Sequence, residues 1–299
     1  MEDDFDLDLY VKDQTNKVIK VKTDDKSRRL SNVIKILIII AAFITAFELY
    51  SYASHLIEVW RDNRINETAR SIAEQAARRM AVSPGGSAVN GKRSILSTEA
   101  YVQNNVAITS DPVLMPVILE LRDAFLNNDI VAYLSIDGSN IGFPIVQTDN
   151  NSYYLTHDLR FQNNAAGSAF MDYESPLYPL GYNTVIYAHN MRDGSMFHNL
   201  RYYNDFDYFN EHKAISLQTL NEDTLWEIFS FYETNIEFLY NATSFYNARD
   251  FIEFANLLKE KSKYPADVYF TEDSKILTLS TCTNRDADSR YVLHAYRFR

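Results

Sequence analysis

The stretch IVAYLSIDGSNIGFPIVQ (130–147) decides the fold. Two apolar runs, 130–136 and 141–147, flank Asp137-Gly138, a dipeptide suited to the turn of a tight hairpin. β-branched and aromatic residues fill both runs, which suits a pleated surface. Beyond it the same short-run pattern continues: AAGSAFMD (165–172), NTVIYAHN (183–190), AISLQTL (214–220), TLWEIFSFYE (224–233), ILTLSTCT (276–283) and RYVLHAYRF (290–298). One helix interrupts them, from Asp250 to about Lys263, with Phe251, Phe254, Leu257 and Leu258 on a shared face. Eight strands without alternating helices predict a mainly β fold over 126–299, a closed eight-stranded antiparallel barrel rather than a parallel α/β sheet.

Upstream the character changes. ILIIIAAFITAF (36–47) has only Thr45 polar, and snorkelling of Lys35 and Glu48 extends the apolar stretch to Val33–Leu49, about 25 Å of helix at ~1.5 Å per residue. Tyr50 and Tyr52 fall where an interfacial aromatic belt belongs. Lys17, Lys20, Lys22, Lys26, Arg28, Arg29 and Lys35 precede it, so the positive-inside rule keeps that side cytoplasmic. No convincing small-residue cleavage site follows, so retention is expected. The sequence therefore divides into a charged cytoplasmic tail (1–32), a transmembrane signal anchor (33–52), a helical stalk and linker (53–125) and the barrel (126–299). Leu56, Val59, Trp60, Ile65, Ala69, Ile72, Ala73 and Ala76 give the stalk its apolar face. Pro84, Gly85, Gly86 and Gly91 mark the linker, and a second helix follows Asp111-Pro112 through Val117, Leu119, Leu121 and Phe125.

The 299 residues are 46% apolar and 23% charged, which excludes wholesale disorder and a multi-span membrane protein. A net charge of −11 argues against a nucleic-acid partner. Cys282 is the single cysteine, so neither an internal disulfide nor a cysteine-rich zinc site can form. Outside the cytoplasm, structural cysteines come in pairs, which shifts a lone thiol towards chemistry.

A nucleophilic thiol needs a base or positive field and an acid for the leaving group. Cys282 ends one apolar run and His189 ends another. Arg290, eight residues beyond the cysteine, can donate to a developing oxyanion, or is an exposed charge on an edge strand. His294 shares a face with Arg290 and is the competing histidine; Asp286 and Asp288 can orient a histidine or cap the loop. No G-x-S-x-G, H-E-x-x-H, Walker or G-x-G-x-x-G motif is present.

TLSTC (278–282) with arginine eight positions on, and Y-x-H-N at 187–190 upstream, resembles the sortases, membrane-anchored cysteine transpeptidases of Gram-positive bacteria. FPIVQTDNNSYYL (143–155), AGSAFMDY (166–173) and VIYAHNM followed by GSMFHNL (185–200) are similar to the class B branch. The resemblance covers Ile130 to the C-terminus. It implies Cys282 as nucleophile, His189 as acid and base, and Arg290 as oxyanion donor. It implies further that Asn151, Leu155, Tyr187 and Ser280 lie in the substrate groove, with Tyr187 otherwise a packed aromatic and Ser280 a strand residue satisfied locally. No metal or cofactor is implied. The implied partners are secreted proteins bearing a C-terminal sorting signal, cleaved after Thr, and an amine on a peptidoglycan precursor. A pilin lysine as acceptor, a hydrolytic Cys-His peptidase and a tethered non-enzymatic module are the alternatives. Ala188 stands where the family usually has glycine.

Overall fold

The structure, a computed structural model, describes residues 7–82, 116–282 and 288–299. Two compact units divide the chain, Met1–Ile57 and Glu58–Arg299. Helix α1 (Leu7–Val82) supplies the described part of the first and opens the second. Among the described residues it is the one helix long and apolar enough to cross a membrane, with a mean hydropathy of 2.3 in its most apolar window and none of that window buried. The glycine-rich linker and the Asp111-Pro112 helix start lie outside the described residues. Helix α2 (Pro116–Phe125) buries Val117, Ile118, Leu121 and Phe125, while Leu119 faces outward.

Eight strands form a closed barrel in the order β1-β2-β3-β4-β7-β8-β6-β5. They are β1 (Ile130–Ile136), β2 (Gly142–Val146), β3 (Phe170–Met171), β4 (Asn183–Tyr187), β5 (Ala214–Thr219), β6 (Asp223–Asn235), β7 (Ile276–Cys282) and β8 (Ser289–Arg297). The hairpin read from 130–147 pairs Leu134 with Phe143. Its turn places Gly138 at φ +73°, where a Cβ would also press within 2.9 Å of the His212 ring.

The barrel is closed but not antiparallel throughout. β2 runs parallel to β3, and β4 parallel to β7. The chain between β2 and β3 crosses over instead of turning back, and β7 enters between β4 and β8 only after β5 and β6 are laid down. Closure also removes any edge, so β8 is an interior strand between β6 and β7 and Arg290 is not an edge-strand charge.

Leu134, Ile145, Ile186, Leu217, Trp226, Phe231, Leu279 and Leu293 fill the interior. Helix α3 (Phe206–Glu211), capped by Asp205, and the 3-10 helix Phe197–Asn204 are too short for periodicity to register. Helix α4 (Ala248–Glu260) lays Phe251, Ala255 and Leu258 on the outer face of the barrel, against Phe229, Ile276 and Val292. That i, i+4, i+7 row displaces Leu257, which is 47% exposed rather than on the buried face.

The expected stalk face is real only from Ile65 onward: Ile65, Ala69 and Ala76 are buried with Val117, Ile130 and Phe170, whereas Leu56 and Trp60 face outward. This part of α1 packs on the barrel instead of standing apart. Polar contacts accompany it: Asn164 Nδ2 donates to Asp62 Oδ1, Arg61 donates to Asn163 O at 3.0 Å, and Arg70 to Asn140 O at 3.1 Å. Burial pushes the Asp62 carboxyl up to about 6; the Asn164 hydrogen bond and then Arg61 oppose the rise, and Asp158 and Asp193 add to it. A carboxyl raised in the folded state stabilises the fold at low pH and loses that contribution as pH rises through about 6. Asp62→Asn keeps the acceptor without the charge. Thermal unfolding of the Glu58–Arg299 unit should therefore show the variant a few degrees more stable than wild type at pH 8, the gap closing towards pH 4. An equal gap at both pH values would deny Asp62 this role.

Candidate active site

Three neighbouring strands, β4, β7 and β8, set the site. β4 and β7 run parallel with Tyr187 opposite Ser280, and Ala188 N donates to Ser280 O at 3.3 Å. His189, two residues past Tyr187, thus leaves β4 at the level where Cys282 ends β7. β8 runs against β7 and puts Arg290 opposite Cys282. The strand ends therefore bring His189, Cys282 and Arg290 to one end of the barrel wall. Ala188 is buried in the barrel interior, so its methyl packs inward.

His189 is half-buried, and its Nε2 lies 2.9 Å from the Leu155 carbonyl. A carbonyl only accepts, so Nε2 carries a proton towards Leu155 O. Leu155, expected as a groove side chain, thus holds the histidine through its backbone, in the 3-10 turn Tyr153–Leu155. The loop after His189 is closed by Phe197 N donating to His189 O at 2.9 Å.

Gly167 supports that turn from behind. At φ +58° its Cβ would overlap the Tyr154 carbonyl and come within 2.8 Å of Leu155 O, all unyielding backbone. Gly167→Ala is expected to shift the Leu155 carbonyl off His189 and cut kcat/KM on the order of 10²-fold. Alkylation of Cys282 at saturating iodoacetamide should still reach completion. Unchanged kcat/KM would show that the turn does not position the ring.

Arg290 is half-buried and donates from Nη1 to Ser289 O at 3.0 Å. Asp288 is exposed, with its carbonyl accepting from Ile236 N; Asp286 lies outside the described residues. His294 is fully buried, with Nδ1 2.9 Å from Thr278 Oγ1 and Nε2 2.8 Å from Tyr232 OH. Thr278 gives its proton to Asn183 Oδ1 at 2.8 Å, so the ring donates from Nδ1 and accepts at Nε2. Burial pushes its pKa down to about 3, so it stays neutral. A ring so enclosed exchanges no proton with a substrate.

The remaining expected residues fall into two hydrogen-bonded sets, Ser280 with Tyr240, and Asn151 and Tyr187 with Asp172. Ser280 is 2% exposed, with Oγ 2.9 Å from Tyr240 OH. Tyr187 is half-buried; its OH accepts from Asn241 Nδ2 at 2.8 Å and donates to Asp172 Oδ2 at 3.0 Å. Burial pushes the Tyr187 phenol well up, keeping it protonated as that bond requires. Asn151 Nδ2 donates to the same Asp172 oxygen at 3.0 Å, and Asn151 Oδ1 accepts from Tyr173 N at 3.0 Å. Asp172, Tyr240 and Asn241 were not singled out from sequence. Only the segment AGSAFMDY pointed near Asp172.

A family model described as the sortase domain matches residues 134–298. Sortase B of Listeria monocytogenes is 41% identical over 169 residues, 56% of this chain and 69% of that protein. A Staphylococcus aureus sortase B–substrate complex superposes with a TM-score of 0.58 at 30% identity, covering 62% of this chain and 86% of that one. Bacillus anthracis sortase B in complex with AAEK2 does so with a TM-score of 0.58 at 34% identity, covering 63% and 86%. By strand order, site placement and these likenesses, the chain belongs to the sortase family of cysteine transpeptidases, in its class B branch.

Proposed function

We propose that the chain cleaves a C-terminal sorting signal after its threonine and joins the released carbonyl to a cell-wall amine. The Cys282 thiol gives its proton to His189, the resulting thiolate attacks the threonine carbonyl, and the Arg290 guanidinium holds the oxyanion that forms. The carbon–nitrogen bond breaks as His189 gives its proton to the leaving amine, leaving a thioester. An incoming amine then attacks, gives a proton to His189 and expels the thiolate. The observation that most supports this reading is the common level of His189, Cys282 and Arg290 across β4, β7 and β8.

The N-terminal helix would hold the enzyme in the membrane with the lysine-rich side cytoplasmic and the barrel outside, beside secreted substrate and lipid-linked acceptor. Confinement to one thin layer raises their effective concentration. A C-terminal tag should then be open to protease on intact protoplasts, and full protection would reverse the orientation.

The chemistry is tested with peptides carrying Pro-x-Thr-Gly or Pro-x-Thr-Asn cores, with and without triglycine, read by mass spectrometry. A thioacyl mass on Cys282 together with ligated product supports the proposal. Cleavage that ignores every amine makes the protein a peptidase, and ligation to a pilin lysine alone makes it a pilin polymerase.

A further inference from the structure

We infer that Asp172 is a positioning residue that fixes the hydrogen-bonding polarity of the substrate groove through Asn151 and Tyr187; this rests on the peptide-cleaving reading above. Asp172 follows β3 and is 5% exposed. Its backbone already secures the local turn: Asp172 N donates to Val185 O at 2.8 Å, and its carbonyl accepts from Gln147 Nε2 at 2.8 Å and Ser175 N at 2.9 Å. On the side chain, Oδ1 accepts from Glu174 N at 2.9 Å, a further turn contact. Oδ2 faces the groove network instead, taking both Asn151 Nδ2 and Tyr187 OH at 3.0 Å.

An ionised carboxylate only accepts, so both partners are forced to be donors towards it. For Asn151 this settles which end of the amide is which. Nitrogen faces Asp172 and oxygen faces Tyr173 N, so neither end can exchange without losing both bonds. The amide nitrogen has two N–H groups. One is held by Asp172, and the other is presented by a half-buried side chain as a donor of fixed direction. Such a donor suits a main-chain carbonyl of an extended peptide.

Tyr187 is fixed in the same way. Its proton goes to Asp172 and its lone pair takes Asn241 Nδ2. One carboxylate thereby ties Asn151, after β2, to Tyr187 on β4 and Asn241, between β6 and α4. A buried carboxylate meeting three donors is satisfied, and neutralising it reverses a donor–acceptor pair rather than leaving a gap.

The test uses Asp172→Asn in the full chain in detergent. The variant keeps volume and the Oδ1 turn contact but offers N–H groups where Oδ2 accepted. KM for the sorting-signal peptide should rise roughly tenfold with kcat and the alkylation rate of Cys282 unchanged. In an Asn151→Ala background, where the positioned donor is already gone, Asp172→Asn should add less than about twofold. Unchanged KM, fully additive effects, or a loss confined to kcat would overturn the inference. Should Asp172→Asn fail to fold, the same cycle is run between Tyr187→Phe and Asn151→Ala. Coupling above about threefold in KM supports the shared carboxylate, and independent effects overturn it. Wild-type enzyme with no thioacyl adduct on any peptide would sink the functional reading and this inference together. Active wild type with an indifferent Asp172→Asn sinks the inference alone.

Discussion

Cys282→Ala should reduce turnover of a sorting-signal peptide to background, a loss on the order of 10⁴-fold or more. Covalent catalysis divides amide exchange into two acyl transfers, and each passes through a bond to the nucleophile. Without the thiol, His189 and Arg290 still bind and polarise but have no acyl acceptor to serve. The chain makes this test unusually clean, because Cys282 is its only cysteine. No second thiol can restore activity, and a thioacyl mass or alkylation signal has one possible address. Cys282→Ser should rescue little, since a hydroxyl paired with a base tuned for a thiol stays protonated. Binding of the uncleaved peptide should survive in the alanine variant, because the proposed groove contacts through Asn151, Asp172 and Tyr187 are kept. Turnover within tenfold of wild type would remove the thiol from the mechanism.

What the sequence made legible follows from what is local. The hairpin at 130–147 and the eight strand positions rest on alternation and turn chemistry within ten or so residues, and they coincide with the strands to within a few residues, β3 apart. β3 pairs through only Phe170 and Met171, although the apolar run around it is longer. Strand direction is a non-local property. Nothing in NTVIY or ILTLS states that these segments lie side by side and parallel, so an antiparallel barrel was the expectation and β4–β7 contradicts it. The buried row of α4 shows the same limit, since Phe251, Phe254, Leu257 and Leu258 are all apolar and only the barrel surface selects Phe251, Ala255 and Leu258.

The site divides similarly. Cys282, His189 and Arg290, the proposed catalytic residues, were marked by residue type and by their places at the end or the opening of a run. Leu155 acts through a main-chain carbonyl, which every residue has, and so left no mark in the sequence. Gly167 matters through φ and the backbone it touches. Asp172 looks like any acidic residue at a turn until its neighbours are placed.

His189→Ala is the second decisive variant, and its companion is His294→Ala. General acid–base catalysis by a positioned imidazole contributes roughly 10²–10⁴-fold, and His189→Ala should lose most of that range in kcat/KM. Its thermal midpoint should barely change, because the ring is half-buried and its one described side-chain bond is to the Leu155 carbonyl. His294→Ala should show the opposite signature. Removing a fully buried ring leaves a cavity and strands Thr278 and Tyr232, each bonded to one of its nitrogens. The unfolding midpoint should fall by several degrees while the protein that remains folded cleaves peptide with a wild-type pH profile. The two histidines differ physically in one respect that sequence position hides: one is half-buried, with Nε2 held by the Leu155 carbonyl, and the other spends both nitrogens on the core. A catalytic collapse in His294→Ala at unchanged stability, with His189→Ala still active, would exchange their roles.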